Sequence, residues 1–153
     1  MNLLIASDHA GYELKEALKA RAASIGVEWT DLGTHSAASV DYPDYGDALA
    51  KKLVETGAET HLGVLICGSG VGISIAANRH PEIRAVLAES PEVARLGREH
   101  NHANVLCFGS RIVSEERAIE LIRAFIDAKP DPGERHLRRV QKLSAQRIKG
   151  GSP

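Results

Sequence analysis

The sequence predicts an α/β fold, a five-stranded parallel sheet lying between two layers of helices in a three-layer αβα sandwich with an added C-terminal helix. Two observations carry this prediction. Five short apolar runs alternate with amphipathic stretches of helical period, and alternation at this spacing favours parallel βαβ units over hairpins. The runs are also almost continuously apolar, as strands buried on both faces are. With 153 residues and 43% hydrophobic content, the chain can bury a full core as one domain over 1–148, followed by a frayed tail over 149–153.

The elements follow in order. "LLIA" (3–6) is the first strand and runs into "SDHAG", where a helix begins near Gly11. "YELKEALKARAASI" (12–25) sets Leu14, Ala17, Leu18 and Ala22 near the helical repeat, and Gly26 supplies a stop. "VEWTDL" (27–32) is the second strand, and "THSAASVDYPDYG" (34–46) is the longest polar connection, ahead of a helix over Tyr45 to Val54. "GVLIC" (63–67) is the third strand; after its glycine loop the chain turns helical again. "IRAVLA" (83–88) precedes a helix from Pro91 to His100, with Ser90 as N-cap and Pro91 in the first helical position. "NVLCFG" (104–109) is the fifth strand; a helix from Glu115 to Ala128 follows its cap Ser114, and a basic helix runs from Glu134 to Ile148. The sequence holds no internal repeat and no long linker.

Composition narrows the function. The 19 basic and 20 acidic residues leave a net charge of -1, which gives no electrostatic footprint for nucleic acid or a membrane surface, so a small ligand is expected. Two cysteines, Cys67 and Cys107, are too few for a disulfide scaffold and lack zinc-site spacing; they read as free thiols in a reducing compartment. The start "MNLLIASDHAG" has no lysine or arginine ahead of its apolar stretch, which breaks at Ser7 and Asp8. It is too short for a signal core or a membrane span, and the expected location is cytoplasmic.

Ligands of open parallel sheets sit beyond the carboxyl ends of the strands. Asp8 and His9 fall at the first such end, a carboxylate and an imidazole suited to exchanging protons with a sugar hydroxyl, although an aspartate there also serves as a helix cap. Cys67 closes the third strand, and Gly68, Gly70 and Gly72 after it let backbone amides approach an anion. The spacing is neither the Rossmann fingerprint nor a P-loop. A helix N-terminus beside a cysteine favours the thiolate, so Cys67 is open to reading as nucleophile, proton-transfer base or buried filler; Cys107 reads as filler. His100 and Asn101 end a helix just before the fifth strand, where a histidine also compensates the helix dipole. Arg135 and Arg139 lie four apart on one helical face, an arrangement suited to a phosphate dianion or to a solvated basic face.

Together, "SDHAG", "DYPDYG", "ICGSGVGISIAANR", "IRAV", "HNHANVLCFGSR" and "GERHLRRV" resemble the type B ribose-5-phosphate isomerase family, which also contains galactose-6-phosphate and allose-6-phosphate isomerases. The resemblance covers nearly the whole chain. It implies a Rossmann-like fold, a homodimer or a tetramer of dimers with active sites shared between subunits, and aldose–ketose isomerisation of ribose 5-phosphate with no metal or organic cofactor. Carried over residue by residue, it implies Cys67 as the base between C2 and C1, and Ser69 with the amides of Gly68, Gly70, Val71 and Gly72 as the enediolate cradle. His100, aided by Asp8, would open the sugar ring. Asn101 and Tyr42 would contact the sugar, and His9, Arg111, Arg135 and Arg139 the phosphate; Arg138 has no assigned role. Some members replace the cysteine by a downstream glutamate, but "GISIAAN" offers no acid. Ser69 stands where threonine also occurs. The alternatives are a hexose 6-phosphate (allose or galactose) isomerase and a non-catalytic sugar-phosphate sensor. A thiol-dependent hydrolase would need an acyl-pocket motif that the sequence lacks.

Overall fold

The computed structural model describes residues 1–148; the tail 149–153 lies outside the described residues. In chain order the elements are β1 (Asn2–Ser7), α1 (Tyr12–Ala20), α2 (Ala22–Ile25), β2 (Glu28–Asp31), α3 (Tyr42–Thr56), β3 (Leu62–Cys67), α4 (Val71–Ala77), β4 (Ala85–Leu87), α5 (Pro91–Asn101), β5 (Val105–Gly109), α6 (Glu115–Asp127) and α7 (Glu134–Ile148). The five strands of the described residues form one sheet in the order β2-β1-β3-β5-β4, every pair parallel.

The central strand β3 is buried at all six positions, so both of its faces must be covered. On one face Leu3, Ile5, Val64, Ile66, Leu106 and Phe108 pack with Leu18 of α1 and with Ala118, Leu121, Ile122 and Phe125 of α6. On the other, Leu4, Ala6, Leu65 and Cys107 meet Leu49 and Leu53 of α3 and Ile73 and Ala77 of α4. Each buried Leu, Ile or Phe contributes about 1.5–3 kcal/mol by leaving water. The period-2 split of β1 between the two clusters fixes its register, because a one-residue slip would exchange the two faces.

Each expected strand is present: β1 and β3 extend beyond the expected runs 3–6 and 63–67, while β2, β4 and β5 are shorter than theirs. The edge strand β4 is only three residues long and half-buried, since β5 alone pairs with it. The helix expected over 12–25 is divided: the Arg21 amide is shared between the carbonyls of Ala17 (3.2 Å) and Leu18 (3.1 Å). This tightened turn re-aims the chain so that α2 buries Ile25 before stopping at Gly26, whose φ is 84°. Helix α3 begins at Tyr42, three residues before the expected start; Pro43 in its first turn has a φ already set for helix. The side chains of Ser90 and Ser114 accept from the amides of Val93 and Arg117, as the expected N-caps should. Helix α7 packs against α5.

Candidate active site

Parallel pairing brings three strand ends together. Ser7 lies level with Ile66, and Cys67 level with Gly109, so β1, β3 and β5 open onto one edge. From Cys67 the chain turns through Gly68, Ser69 and Gly70 into α4. Gly70 has a φ of 79°, and a Cβ there would sit 2.6 Å from Leu87 Cδ1 and 2.7 Å from the Phe108 carbonyl carbon. Only glycine makes this turn without strain or collision. The turn aims the Gly70 amide at Cys67 Sγ, 3.1 Å away, while Ser69 Oγ accepts from the Val71 amide at 3.3 Å. Cys67 is 4% exposed, at the floor of a loop lined by backbone donors.

Charged and aromatic groups surround this loop. Asp8 is buried; its Oδ1 accepts from the Gly11 amide at 3.0 Å and fastens the turn that leads into α1, whose N-cap is Gly11 and not Asp8. His9 Nδ1 meets the backbone of Val40, 3.0 Å from the oxygen and 3.2 Å from the nitrogen, and straps the β2–α3 connection to the end of β1. The Arg111 amide donates to the Gly68 carbonyl at 3.1 Å. The Arg111 guanidinium lies over Gly68, with Nη1 3.2 Å from where a Cβ would stand. The Tyr42 ring covers Gly72, where a Cβ would be 2.6 Å from Cζ. One edge of the sheet thus gathers Asp8, His9, Tyr42, Cys67, Gly68, Ser69, Gly70, Val71, Gly72 and Arg111.

His100, Asn101, Arg135 and Arg139 are not among them. Helix α5 starts beyond the end of β4 and runs back down the sheet, so His100 and Asn101 finish it just before β5 begins at Val105. Val105 is level with Gly63, four residues upstream of Cys67, which is about 13 Å along the strands. Arg135 belongs to α7, whose His136 stacks on His100 at 4.4 Å between ring centroids; Arg139 follows one turn later on the same helix, and both arginines are exposed. In a parallel sheet a helix C-terminus and a strand C-terminus lie at opposite edges, and the sequence-predicted residues divide between those edges.

Two features escaped the sequence reading. Lys15 is fully buried, with Nζ 2.6 and 2.7 Å from the Asp31 carboxylate oxygens; Lys19 shares Asp31 at 2.6 Å and Glu16 at 2.9 Å. Burial opposes ionisation of Asp31, but the donated bonds from Lys15, Lys19 and the Gly33 amide outweigh it and hold this carboxyl at about 2. Asp31 thereby fixes Gly33, whose carbonyl accepts from the Ser7 amide at 2.7 Å, so a buried ion pair stands behind the β1 end that carries Asp8. The signal was a lysine within the apolar stripe of α1, three residues before Leu18. Its partner lies sixteen residues away, beyond the reach of local pattern. The second feature is the His100–His136 stack itself. Cys107, as expected, is core: burial pushes its thiol up, and Cys67 nearby adds to this. Among the described residues no cluster of three His, Cys, Asp or Glu side chains is placed to hold a metal ion, and no helix is long and apolar enough to cross a membrane.

Residues 3–143 match the Ribose/Galactose Isomerase family. The chain belongs to that family. It is 46% identical over 138 residues to ribose-5-phosphate isomerase B of Escherichia coli K12, covering 90% of this chain and 91% of that one. Among solved structures, ribose-5-phosphate isomerase B of Clostridium thermocellum superposes with a TM-score of 0.91 at 40% identity, over 99% of this chain and 100% of the other. The Mycoplasma genitalium enzyme with bound ribulose-5-phosphate gives 0.89 at 37% identity, over 97% of each chain. The five-stranded parallel sheet with its flanking helices is the fold shared with these isomerase structures.

Proposed function

We propose that the protein interconverts ribose 5-phosphate and ribulose 5-phosphate through an enediolate, with Cys67 as the proton-transfer base. The observation that carries this reading is the Cys67 sulfur on the floor of the Gly68–Gly72 loop, beneath Arg111, in a chain of this family. On the open-chain aldose, the sulfur takes the C2 proton, the C2–H electron pair becomes the C1–C2 double bond, and the carbonyl pair moves onto O1. Loop amides and Ser69 face that oxyanion. The proton returns from Cys67 to C1, while the O2 hydroxyl proton passes to O1 and leaves the C2 ketone.

Ribose 5-phosphate is cyclic, so a second group must open the ring before C2 is acidic. We assign this to His100 with Asp8, sugar contacts to Asn101 and Tyr42, and phosphate contacts to His9, Arg111, Arg135 and Arg139. Because His100, Asn101 and the two α7 arginines lie at the far edge, the complete site combines the carboxyl edge of one copy with the amino edge of a second, in a homodimer with two equivalent sites.

The test is steady-state isomerisation of ribose 5-phosphate beside allose 6-phosphate and galactose 6-phosphate, with Cys67→Ala run in parallel. A pentose preference that disappears in Cys67→Ala is expected; an unchanged rate in that variant refutes the base assignment, and a hexose preference refutes the substrate. The shared site is tested by mixing unfolded Cys67→Ala and His100→Ala chains and refolding them together. Half of the dimers are then mixed and each has one intact site, so activity should return to about a quarter of wild type; no recovery refutes sharing.

A further inference from the structure

We propose that His136 is a positioning residue for His100, a flat buried platform that sets the plane of the ring-opening imidazole. This inference deepens the proposed function and rests on its assignment of ring opening to His100.

The geometry is built from both helices. His102, the C-cap of α5, adopts a left-handed conformation with a φ of 50°, one that a non-glycine residue holds only when its surroundings dictate it. Asp131 is one of the groups that hold it. The Asp131 carbonyl accepts from His102 Nε2 at 3.0 Å, and its amide donates to the Glu99 carbonyl at 2.9 Å. Its side chain then opens α7, Oδ1 accepting from the Gly133 amide at 2.7 Å while Oδ2 faces His136 Nε2 at 3.6 Å. One residue of the α6–α7 connection thus laces the end of α5 to the start of α7. Inside the lace His136 is 6% exposed and its ring is within 15° of parallel to His100.

The same nitrogen of His136 accepts from Arg135 Nη2 at 3.2 Å. A guanidinium only donates, so in this contact the lone pair of Nε2 faces Arg135 and the neutral ring carries its proton on Nδ1. His136 is thereby held by the bond from Arg135 at one edge and by burial elsewhere, while for the half-buried His100 the ring contact found among the described residues is this stack. Stacked aromatic pairs prefer such parallel contact. Proton transfer to a ring oxygen demands a fixed imidazole direction, and misplacement by about 1 Å can cost about a hundredfold. No step of the proposed chemistry uses His136 itself; its effect passes through His100.

The experiment separates ring opening from enolisation. Ribose 5-phosphate needs its ring opened; ribulose 5-phosphate is open-chain, and exchange of its C1 proton with solvent deuterium needs only the carboxyl-edge base. In His136→Leu, which fills the space without a flat face, isomerisation of ribose 5-phosphate should fall by about tenfold to a hundredfold. The C1 exchange rate on ribulose 5-phosphate should stay within about twofold. His136→Phe, which restores a planar ring, should recover most of the loss. Equal losses in both assays, or no recovery by phenylalanine in a folded protein, overturn the proposal. Should His136→Leu fail to melt cooperatively, the Phe variant is compared with His136→Gln under the same criteria. A wild-type protein silent in both assays would instead overturn the isomerase reading on which the proposal rests.

Discussion

Replacing Gly70 by alanine tests whether the loop geometry, and with it the position of the amide facing Cys67, is dictated by backbone sterics. A φ of 79° costs an L-residue about 1–2 kcal/mol. The added Cβ would also stand 2.6 Å from Leu87 Cδ1, 2.7 Å from the Phe108 carbonyl carbon and 2.9 Å from the Gly109 nitrogen. The first of these can rotate away, but the other two are backbone of the buried interior strand β5 and cannot. Relieving them means moving the loop off β5, and overpacking of this kind costs about 1–3 kcal/mol. The sum, about 2–5 kcal/mol, should appear as a lowered denaturant midpoint with an unchanged slope. The turn reorients as well, so an oxyanion donor is lost and turnover should fall by about a hundredfold to a thousandfold. Gly70→Ala with wild-type stability and activity would show that neither the left-handed turn nor the close approach to β5 matters, and would refute the derivation of the cradle from Gly70.

Three further outcomes follow from the described contacts. Asp31 has its folded pKa lowered from 3.8 to about 2, so the unfolded chain takes up the proton first as pH falls. Its stabilisation is whole above about pH 4 and lost on the way down to about pH 2; because the carboxylate partly meets solvent, this amounts to about 1–2 kcal/mol, and Asp31→Asn should flatten the acid limb of a stability–pH curve. Lys15→Met leaves Asp31 and Glu16 facing Lys19 alone, and removing one member of a buried ion pair costs about 3 kcal/mol; a loss below about 1 kcal/mol by chemical denaturation would refute a structural role for the pair. Alkylation of the native protein should modify Cys67 with loss of turnover and spare Cys107, whose thiol is pushed up by burial; peptide mapping that finds Cys107 modified first contradicts this.

The strands were legible because a parallel sheet writes its burial directly into the sequence: "GVLIC" has no polar position, as a strand covered on both faces cannot. The carboxyl-edge residues were legible for a related reason. Asp8 and Cys67 stand where apolar runs stop, and the glycines after Cys67 announce a turn that a side chain would block. The division of helix 12–25 at Arg21 was not legible, since the period continues through it and only the tertiary need to bury Ile25 breaks the axis. Nor was the distance between Cys67 and His100. Both lie next to strand residues in sequence, but one follows its strand and the other precedes it, and only the direction of β5 in the sheet turns that difference into opposite edges. The Lys15–Asp31 pair and the His100–His136 stack are contacts between elements, and no single-element pattern encodes either.

The separation of the two edges has a chemical consequence on the proposed assignment. A base that must hold a proton between C2 and C1 and an imidazole that must serve the ring oxygen act at different times on different atoms. On that assignment each group stands on its own rigid support: Cys67 on the buried central strand β3, and His100 at the end of α5, which Asp131 laces to α7. Beside the loop, α4 presents Val71 and Ile75, 46% and 59% exposed, and apolar side chains so placed next to a site are suited to burial by a partner. The same association that completes the chemistry would exclude water from it, which strengthens every donor aimed at the oxyanion. On the proposed assignment a single copy would then be inactive, because no hinge within a single parallel sheet can bring its two edges together.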